Sequence, residues 1–523
     1  MKKFIFLLTT AVFPLLGFSQ QKGIDERINE SFKPIADAWG NFVFYPIQIS
    51  ETVSIPIVVF ALLATGFIFT ILFKLINVRR FPLSINIVRG KYDSVDHHEV
   101  DDKALVFKAD GHIGDTITTE ADHGEVSHFQ ALTAALSGTV GLGNIAGVAI
   151  AISLGGPGAT FWMIVAGLIG MSSKFVECTL GVKYRDIGED GTVFGGPMYY
   201  LKKGLADIGK KGLGKILAVI FAIMCIGGSF GGGNMFQANQ AAQQFNTMMG
   251  SNSSADGALF GVFMAVLVGI VIIGGIKRIG SITEKIVPFM VGIYLLAAIV
   301  ILFANFSHIG HAFSQIMDGA FNAKGITGGI IGVMVIGFQR AAFSNEAGVG
   351  SAAIAHSAVK TKYPASEGLV ALLEPFIDTV VVCTMTALVI IITNGDGSIM
   401  EYGVKAPDGV LATSKAFGSV LPWFPYVLTL AVVLFALSTM LSWSYYGLQS
   451  WMFLFGRSKV SDYTYKIIFC LFIVVGASVS LGAVTDFSDA MIFAMAVPNI
   501  IGCLLLFPKV REELVTYLKA IKK

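Results

Sequence analysis

The sequence predicts an all-α membrane protein with eleven transmembrane helices, arranged as two inverted repeats of five after one extra N-terminal helix. Of the 523 residues, 54% are hydrophobic and only 14% are charged, whereas soluble domains carry about 25% charged residues. A hydrocarbon layer of about 30 Å takes about 20 apolar residues as a helix. Eleven segments meet this length: 53–76, 129–155, 158–182, 215–245, 258–276, 286–304, 327–355, 367–393, 422–452, 464–481 and 485–507.

The first 20 residues have the pattern of a secretory signal peptide. Two lysines precede the apolar run 4–18, which is shorter than a membrane span, and polar residues follow it. A basic start, a short apolar stretch and a polar end are typical of a leader that is removed. We therefore expect cleavage near Gln20, with an uncleaved anchor as the alternative. Residues 21–76 then contain a periplasmic segment and the extra helix.

Basic residues predict the orientation of the chain in the membrane. If segment 22–52 lies outside, the loops on the cytoplasmic side hold 26 Lys and Arg residues, and the opposite loops hold six. Loops rich in Lys and Arg stay in the cytoplasm. We expect a protein of the bacterial inner membrane, with a periplasmic N-terminus and a cytoplasmic tail at 508–523.

The order of the segments predicts the two repeats, at 129–304 and 327–507. The first segment of one repeat runs from inside to outside, and the first segment of the other runs from outside to inside. Transporters built from such inverted repeats bind their cargo near the middle of the membrane, at interrupted helices in corresponding positions of the two halves. The sequence therefore favours a transporter.

Two polar segments lie outside the predicted spans. The insert 77–128 is rich in His and Asp at 90–127, and pH sensing or metal binding is one interpretation. We favour a solvated cytoplasmic loop with a small β-hairpin at 104–119. A second segment, 195–215, is expected to form an amphipathic helix on the inner surface, where its lysines would meet anionic membrane lipids. The five cysteines contain no CxxC pair, so we predict neither disulfides nor a zinc site.

The first segment of each repeat is interrupted by glycines. Gly138, Gly141 and Gly143 fall within six residues, and each glycine costs about 1 kcal/mol in a helix interior. We expect the helix to unwind there, so that freed amides near Asn144 attract a carboxylate and nearby carbonyls attract a cation. The second break, predicted at 337–351, would offer carbonyls to an ammonium group. Gly147 is expected to serve helix packing only.

Several long strings of the chain are similar to one known family. They are GLGNIAGVAIAISLGGPGATFWM (141–163), GGPMYYL (195–201), FSNEAGVGSAAIAH (343–356), DTVVVCT (378–384) and LSTMLSWSYYGLQ (437–449). The chain thus resembles the alanine or glycine:cation symporters from about 129 to 507. The resemblance implies a leucine-transporter-type fold with one extra helix. It also implies sodium-driven uptake of a small neutral amino acid, namely alanine, glycine or a close analogue such as D-alanine.

The substrate site is expected at the two breaks. We expect the substrate carboxylate to meet the amides of Gly141, Gly143 and Asn144. Polar groups at membrane depth are costly unless they are satisfied, which makes two further amides candidates, Asn234 and Gln237. These two residues share a helix face, and hydrogen bonding between helices is the alternative role for both.

The side-chain pocket and the sodium site are expected on the ninth span and the second break. Thr439 and Trp443 share one face of that span, and Trp443 would exclude larger amino acids. Phe338 and Phe343 are candidates for the remaining wall. The co-transported sodium ion is expected from the resemblance at Gly138, Thr139, Gly141, Ser438 and Thr439. A second cation site would use Asn144, Ser344 and Asp378.

Charged residues within predicted spans are candidates for functional or gating roles. We expect Lys174 and Glu177 to form a structural pair. Arg340 and Glu346 flank the second break, as a gate pair or as stabilisers of the unwound backbone. Asp378 would face sodium or carry a proton.

Two other functions stay open at this stage. One is a transporter of the same fold coupled to protons, with Asp378 or Glu374 as the carrier. The other is a membrane-bound amino-acid sensor. An enzyme is not expected, because the spans contain neither an HExxH nor a GxSxG motif. The expected partners are the amino acid, the sodium ion and membrane lipids, and no nucleic acid is expected; the sequence leaves the oligomeric state open.

Overall fold

The structure is a computed structural model and describes residues 24–50, 53–96, 124–188, 191–250, 255–322, 329–404 and 409–522. The predicted leader and the predicted hairpin at 104–119 lie outside these ranges. The described part ahead of the first repeat consists of short helices and one hairpin. The helices are α1 Ile24–Val43, α2 Ile57–Leu72, α3 Ile76–Arg79, α4 Phe81–Val88 and α5 Asp93–Asp96, and the strands are β1 Pro46–Ser50 and β2 Val53–Pro56, paired antiparallel.

The described residues of the first predicted repeat and of the connection that follows it contain nine α-helices and two π-helical turns, with the last of these helices in the connection. The α-helices are α6 His128–Thr139, α7 Val148–Gly155, α8 Gly158–Lys183, α9 Pro197–Asp207, α10 Lys211–Phe230, α11 Phe236–Met249, α12 Asp256–Ile272, α13 Gly275–Ala304 and α14 Phe306–Phe321. The π turns are Gly143–Gly147, before α7, and Gly231–Met235, before α11. A two-residue pairing of β3 Asp186–Ile187 with β4 Val193–Phe194 follows α8.

The region of the second predicted repeat is also helical in its described residues. Its helices are α15 Gly329–Asn345, α16 Ala352–His356, α17 Pro364–Ala371, α18 Leu373–Pro375, α19 Thr384–Thr393, α20 Gly409–Val420, α21 Phe424–Phe455, α22 Lys459–Ser478 and α23 Leu481–Ala520. A π-helical segment, Phe376–Cys383, joins α18 to α19.

The length and apolar character of the helices support a membrane protein. Fewer than the eleven predicted spans meet these two criteria in the described residues. Seven helical stretches in the described residues can cross a membrane by length and composition, and α6 with α7 forms an eighth if the pair, bent by 51°, is one span. The predicted first and fifth spans appear as the short apolar helices α2 and α12, of 16 and 17 residues. The predicted seventh span is divided between α15 and α16. The total of eleven therefore stays a prediction.

Both predicted breaks have local causes in the sequence. Helix α6 begins with a capping box, in which the Ser127 side chain and the Gln130 side chain each bond the other's backbone amide. It ends just before Gly141, and the glycine-rich turn that follows bends the chain.

Helix α15 ends where Glu346 adopts a left-handed φ of +56° and where Gly348 and Gly350 have φ of +87° and +93°. Only glycine adopts such φ values readily, so the helix stops there.

Two predictions about the polar segments are corrected by the packing. The helix expected on the membrane surface at 195–215 is α9, but Met198, Tyr200 and Leu201 are fully buried, and α9 packs against α10 and α23. The start of the insert is not a solvated loop either, because Asp96 is fully buried and accepts a hydrogen bond from Thr361 Oγ1 at 3.0 Å. Both segments belong to the packed bundle.

Candidate substrate and cation site

A buried polar pocket lies where the two broken helices meet. It is lined by both breaks and by α10–α11, α21 and α23, through Gly138, Thr139, Gly143, Gly232, Gln237, Phe343, Ser344, Glu346, Trp443 and Ile492. Its free space is about 10 Å³, which is room for about one water molecule. The pocket is therefore closed in this conformation, with polar and aromatic groups converging on a small volume.

The first break is held open by side-chain hydrogen bonds. The Gly141 amide donates to Asn144 Oδ1 at 2.9 Å, and the Leu142 amide donates to Gln237 Oε1 at 3.1 Å. The Asn144 amide donates to the Gly141 carbonyl at 3.2 Å. Two of the three amides predicted to bind a carboxylate, those of Gly141 and Asn144, are thus used within the protein. Gly143 is the one of the three that lines the pocket.

Gly141 sits where no side chain fits. A Cβ atom at this position would overlap Thr439 Oγ1 and would lie 3.2 Å from Gln237 Oε1. By contrast, a Cβ at Gly147, three residues after Asn144, would meet no heavy atom within 4 Å among the described residues. The packing role predicted for Gly147 is therefore not what the structure shows, while close approach does explain Gly141.

The structure separates the two predicted amides on the fourth span. Gln237 lines the pocket, accepts from Leu142, and donates from Nε2 to the Gly232 carbonyl at 2.9 Å. Asn234 Nδ2 instead donates to the Phe469 carbonyl of α22 at 2.7 Å. Asn234 is therefore a helix-to-helix contact outside the pocket lining, the alternative that the sequence left open.

The aromatic wall contains two of the three predicted residues, Trp443 and Phe343. Trp443 is 1% exposed, lines the pocket and donates from Nε1 to Glu346 Oε1 at 2.9 Å. Phe343 lines the same pocket, and its ring lies 5.2 Å from that of Phe236. Phe338 lies elsewhere, with its ring 5.6 Å from that of Trp162 on α8. The prediction of Phe338 as a wall residue is therefore wrong, and Ile492 of α23 lines the pocket in addition to the predicted residues.

Glu346 is a pocket residue, not the partner of Arg340. Its carboxylate accepts from Trp443 Nε1 and from Ser351 Oγ, so the second break presents a buried acidic group to the pocket. Arg340 forms an ion pair with Asp489 of α23, which also accepts from Gln339 Nε2 at 3.1 Å. This corrects the predicted pairing of Arg340 with Glu346. The alternative role predicted for Glu346, that of stabilising the unwound backbone, agrees with its bond to Ser351 within the second break.

The Arg340–Asp489 pair lies beside a larger cavity of about 450 Å³. The cavity is next to α7, at the end of the broken helix opposite the start of α6, and is lined by Ile150, Leu154, Ile336, Gln339, Arg340, Leu481, Gly482, Thr485, Asp486 and Asp489. No sequence pattern pointed to Asp489, because its partner lies 149 residues away.

Thr439 carries the feature expected of a cation ligand. Its Oγ1 is buried and has no hydrogen-bond partner among the described residues, although it lies against Gly141. A buried hydroxyl without a partner is costly, and sodium takes hard oxygen ligands of this kind, as hydroxyl and carbonyl groups. The predicted neighbours Gly138 and Thr139 line the buried pocket beside the first break. The residues present therefore fit a sodium ion as cargo.

Ser438, unlike Thr439, has hydrogen-bond partners for its hydroxyl within the part of the chain that the structure describes. Its hydroxyl donates to the Phe435 carbonyl of its own helix at 3.0 Å and also contacts Met290 Sδ at 3.7 Å. Its carbonyl accepts from Ser137 Oγ at 2.7 Å, which ties α21 to α6. Ser438 is thus bonded within the protein in this conformation, and the geometry gives Thr439 the stronger case.

Asp378 forms a second buried oxygen cluster beside the first break. It accepts from Asn144 Nδ2 at 2.6 Å, from Ser344 Oγ at 2.9 Å and from Thr379 Oγ1 at 2.7 Å. The structure therefore brings together the three residues predicted for a second cation site. Three hydrogen-bond donors thus converge on one buried carboxyl group beside the first break.

Lys174 does not form the predicted pair with Glu177. Its Nζ lies 2.9 Å from Glu374 Oε2, whereas Glu177 Oε1 accepts from Asn499 Nδ2 at 2.7 Å. Sequence spacing placed Lys174 and Glu177 on one helix face, but it could not show that a carboxylate 200 residues away reaches the lysine.

Buried broken helices that enclose a polar pocket define a class of protein, the secondary transporters, in which interrupted helices form the cargo site. The chain belongs to the sodium:alanine symporter family, whose model matches residues 43–523. This confirms the resemblance and the prediction of a transporter, not an enzyme.

Two relatives and one solved structure illustrate the similarity. The chain is 44% identical over 395 residues to the sodium/alanine symporter AgcS of Methanococcus maripaludis, which covers 75% of this chain and 84% of the relative. It is 33% identical over 400 residues to the probable sodium/glutamine symporter GlnT of Bacillus subtilis, with 76% and 80% covered. The structure of MhsT in complex with L-phenylalanine is similar with 15% identity and a TM-score of 0.47, covering 74% of this chain and 99% of that chain.

Proposed function

We propose that the protein is a sodium-coupled symporter that takes up a small neutral amino acid, alanine or glycine first and D-alanine among the analogues. The observation that carries the proposal is the buried Thr439 hydroxyl, which has no hydrogen-bond partner among the described residues and lies against Gly141 at the first break, beside a pocket lined by both broken helices. The family supports sodium as the coupling ion, and the name of AgcS supports alanine. The name of GlnT keeps a larger neutral amino acid as an alternative.

The pocket offers complementary groups to an amino-acid zwitterion. The Gly143 backbone, which lines the pocket, would receive the carboxylate, together with a sodium ion held at Thr439. Glu346, at the second break, would attract the ammonium group. Trp443, Phe343 and Ile492 leave little room for a side chain, which favours alanine and glycine.

Alternating access would follow from movement of the two broken helices relative to the other spans. In the proposed topology, eleven spans contain the repeats 129–304 and 327–507, with the N-terminus periplasmic and the C-terminus cytoplasmic in a bacterial inner membrane. The Arg340–Asp489 pair would close the periplasmic approach beside the 450 Å³ cavity. One sodium ion moving down about 100 mV supplies about 2.3 kcal/mol, before its concentration gradient is added.

The Asp378 cluster offers a second place for a coupling cation. Its carboxyl group accepts three hydrogen bonds from Asn144, Ser344 and Thr379. The Asp378 carboxylate and the Ser344 and Thr379 hydroxyls together provide hard oxygen ligands of the kind that a sodium ion takes. We therefore propose Asp378 as a cation-attracting group.

Uptake of labelled alanine, driven by an imposed sodium gradient, tests the proposal. Competition by unlabelled glycine, serine, D-alanine, glutamine and phenylalanine would rank the substrates. We expect inhibition by glycine and D-alanine and little inhibition by phenylalanine. Stronger inhibition by glutamine than by glycine would move the substrate assignment towards larger side chains.

Trp443→Ala is expected to weaken alanine uptake and to admit larger neutral amino acids such as glutamine. The indole fills the wall of a closed pocket, and lost contacts of this size change discrimination by about 1–3 kcal/mol, or about 10- to 200-fold. Competition uptake assays measure the change. Trp451→Ala is the matched control, because Trp451 lies on the same helix outside the pocket lining and bonds Ser461 at 3.0 Å. Unchanged substrate ranking in Trp443→Ala would contradict the wall assignment.

A further inference from the structure

A second group of buried ionisable residues lies between the pocket and the end of the bundle at which α6 begins. Five carboxyl groups, two imidazoles and one ammonium group belong to it, and none is more than 5% exposed. We call this set the charge cluster. Its members are Asp96, His128, Lys174, Glu177, Glu346, His356, Glu367 and Glu374.

Two histidines in the charge cluster bridge carboxylates. His356 contacts Glu367 Oε1 through Nδ1 at 2.5 Å and Glu374 Oε1 through Nε2. His128, the first residue of α6, contacts the other Glu367 oxygen through Nδ1. Its Nε2 is buried without a hydrogen-bond partner in the described structure and lies 3.7 Å from Asp96 Oδ2.

The two contacts of His356 require one more proton than a neutral histidine and two ionised glutamates carry together. A neutral imidazole has one N–H and one acceptor nitrogen, and an acceptor nitrogen cannot bond an ionised carboxylate. Both nitrogens of His356 face carboxylate oxygens, so a second proton must lie in one of the two contacts. Without added protons, the five carboxylates would face one ammonium group in a buried site, which is strongly unfavourable.

Lys174 divides the charge cluster into two parts. Its ammonium group pairs with Glu374 and also interacts electrostatically with Glu346 and Glu177. A fixed cation in a path opposes the passage of protons, so the proton at His356 is separated from the pocket residue Glu346. Exchange with water is then expected at the other end, where His128 and Asp96 lie.

Other ionisable groups face this site from each neighbouring element. They are Cys178 of α8, Arg185 of the segment after α8, and Tyr446 of α21. Tyr517 of α23 also belongs to them, because its hydroxyl donates to Asp96 Oδ2 at 3.4 Å. Arg185 is bonded to the Ser357 carbonyl at 2.8 Å, beside His356. None of these groups replaces the imidazole as the bridge between Glu367 and Glu374.

We propose that Glu367, His356 and Glu374 form a proton-binding site that opens to the cytoplasm when α6 moves away, so that a bound proton holds this end of the carrier closed. The inference rests on the proposed function and its orientation. The proton comes from cytoplasmic water, forms an N–H bond of His356 that is shared with a glutamate, and returns to water on opening. No proton is transported across the membrane.

The sign of the pH effect follows from the difference in bound protons. The closed form holds the extra proton, whereas an imidazole exposed to water loses it near pH 6.5. Low pH therefore favours the closed form, and high cytoplasmic pH favours opening. For one proton, the equilibrium changes up to about tenfold per pH unit. Substrate release to the cytoplasm, and with it uptake, should rise as cytoplasmic pH rises.

Right-side-out membrane vesicles that contain the full chain allow the test. The internal pH is set at values from about 6 to about 8.5, across the range in which histidine titrates, with external pH and the sodium gradient held constant. We expect wild-type alanine uptake to rise with internal pH, and His356→Gln to transport with a flat profile. The matched control, His311→Gln, replaces an exposed histidine of α14 and should keep the wild-type profile.

A second variant guards against failure of His356→Gln to fold. His128→Gln leaves the His356 bridge intact and alters only the α6 end, so it should reduce the slope of the profile. Wild-type uptake that is independent of internal pH would overturn the inference. A pH profile in both His356→Gln and His128→Gln that equals the wild-type profile would also overturn it. If neither variant reaches the membrane, the wild-type profile decides alone. Absence of sodium-dependent uptake at every pH would instead contradict the proposed function.

Discussion

Replacing Thr439 by valine is expected to remove most sodium-dependent uptake and to leave the fold intact. The Thr439 hydroxyl is buried and has no hydrogen-bond partner among the described residues, so its removal leaves no other group unsatisfied. A bond from a neutral group to an ion contributes about 1.5–3 kcal/mol. The sodium concentration for half-maximal uptake should therefore rise about 10- to 150-fold. Sodium titration of alanine uptake measures this shift.

Ser444→Ala is the matched control for Thr439→Val. Ser444 lies on the same helix and is also buried, but its hydroxyl donates to the Leu441 carbonyl of that helix at 2.6 Å. Its replacement should leave the sodium dependence unchanged. Equal sodium titrations for wild type and Thr439→Val would show that Thr439 is not a sodium ligand, and attention would move to the Asp378 cluster.

Gly141→Ala is expected to abolish transport. The added methyl group would overlap Thr439 Oγ1 and crowd Gln237 Oε1, and both contacts lie at the first break. Relief requires movement of the broken backbone or of α21, and either movement displaces the pocket groups. Displacement of about 1 Å at a binding constellation can cost about 100-fold in rate. Alanine uptake, corrected for the amount of protein in the membrane, measures the loss.

Gly147→Ala separates a specific clash from a general effect of replacing glycine in the broken helix. Gly147 is in the π turn beside the same break, and a Cβ there would meet no described heavy atom within 4 Å. Alanine also suits a helix better than glycine by about 1 kcal/mol. We expect Gly147→Ala to transport like wild type. Similar loss in both variants would mean that the break needs flexible glycines, not close contact at Gly141.

Local sequence features predicted much of the site. The glycine spacing located the first break, because a glycine in a helix interior is unfavourable whatever surrounds it. Gln237 and Trp443 were recognised because an amide and an indole inside apolar spans need partners. These conclusions depend on one segment at a time, and the structure places both side chains in the pocket lining.

The partners of the charged residues could not be predicted in the same way. Spacing along one helix favoured Lys174 with Glu177, yet the lysine reaches Glu374 on another segment. Arg340 likewise pairs with Asp489, which no local pattern marked. Asn234 and Phe338 were placed at the pocket by their residue type, but helix rotation directs them to α22 and α8. Such pairings depend on how helices pack, and one sequence does not contain that information in local form.

The location of the acidic pocket residue has a similar explanation. Glu346 was expected to face Arg340 because the two are six residues apart across the predicted break. Glu346 adopts a left-handed φ where α15 ends, and its carboxylate accepts a hydrogen bond from Trp443 Nε1. Backbone conformation of a non-glycine residue in this region is uncommon, and a prediction from sequence periodicity does not include it.

Uptake of labelled alanine into proteoliposomes of the full chain tests the central proposal most directly. Three gradients are compared: sodium inward, potassium inward, and a pH step without sodium. We predict accumulation with the sodium gradient alone, and enhancement by an inside-negative potential because sodium carries charge. Accumulation driven by the pH step in the absence of sodium, with no effect of sodium, would contradict the sodium-coupled symporter.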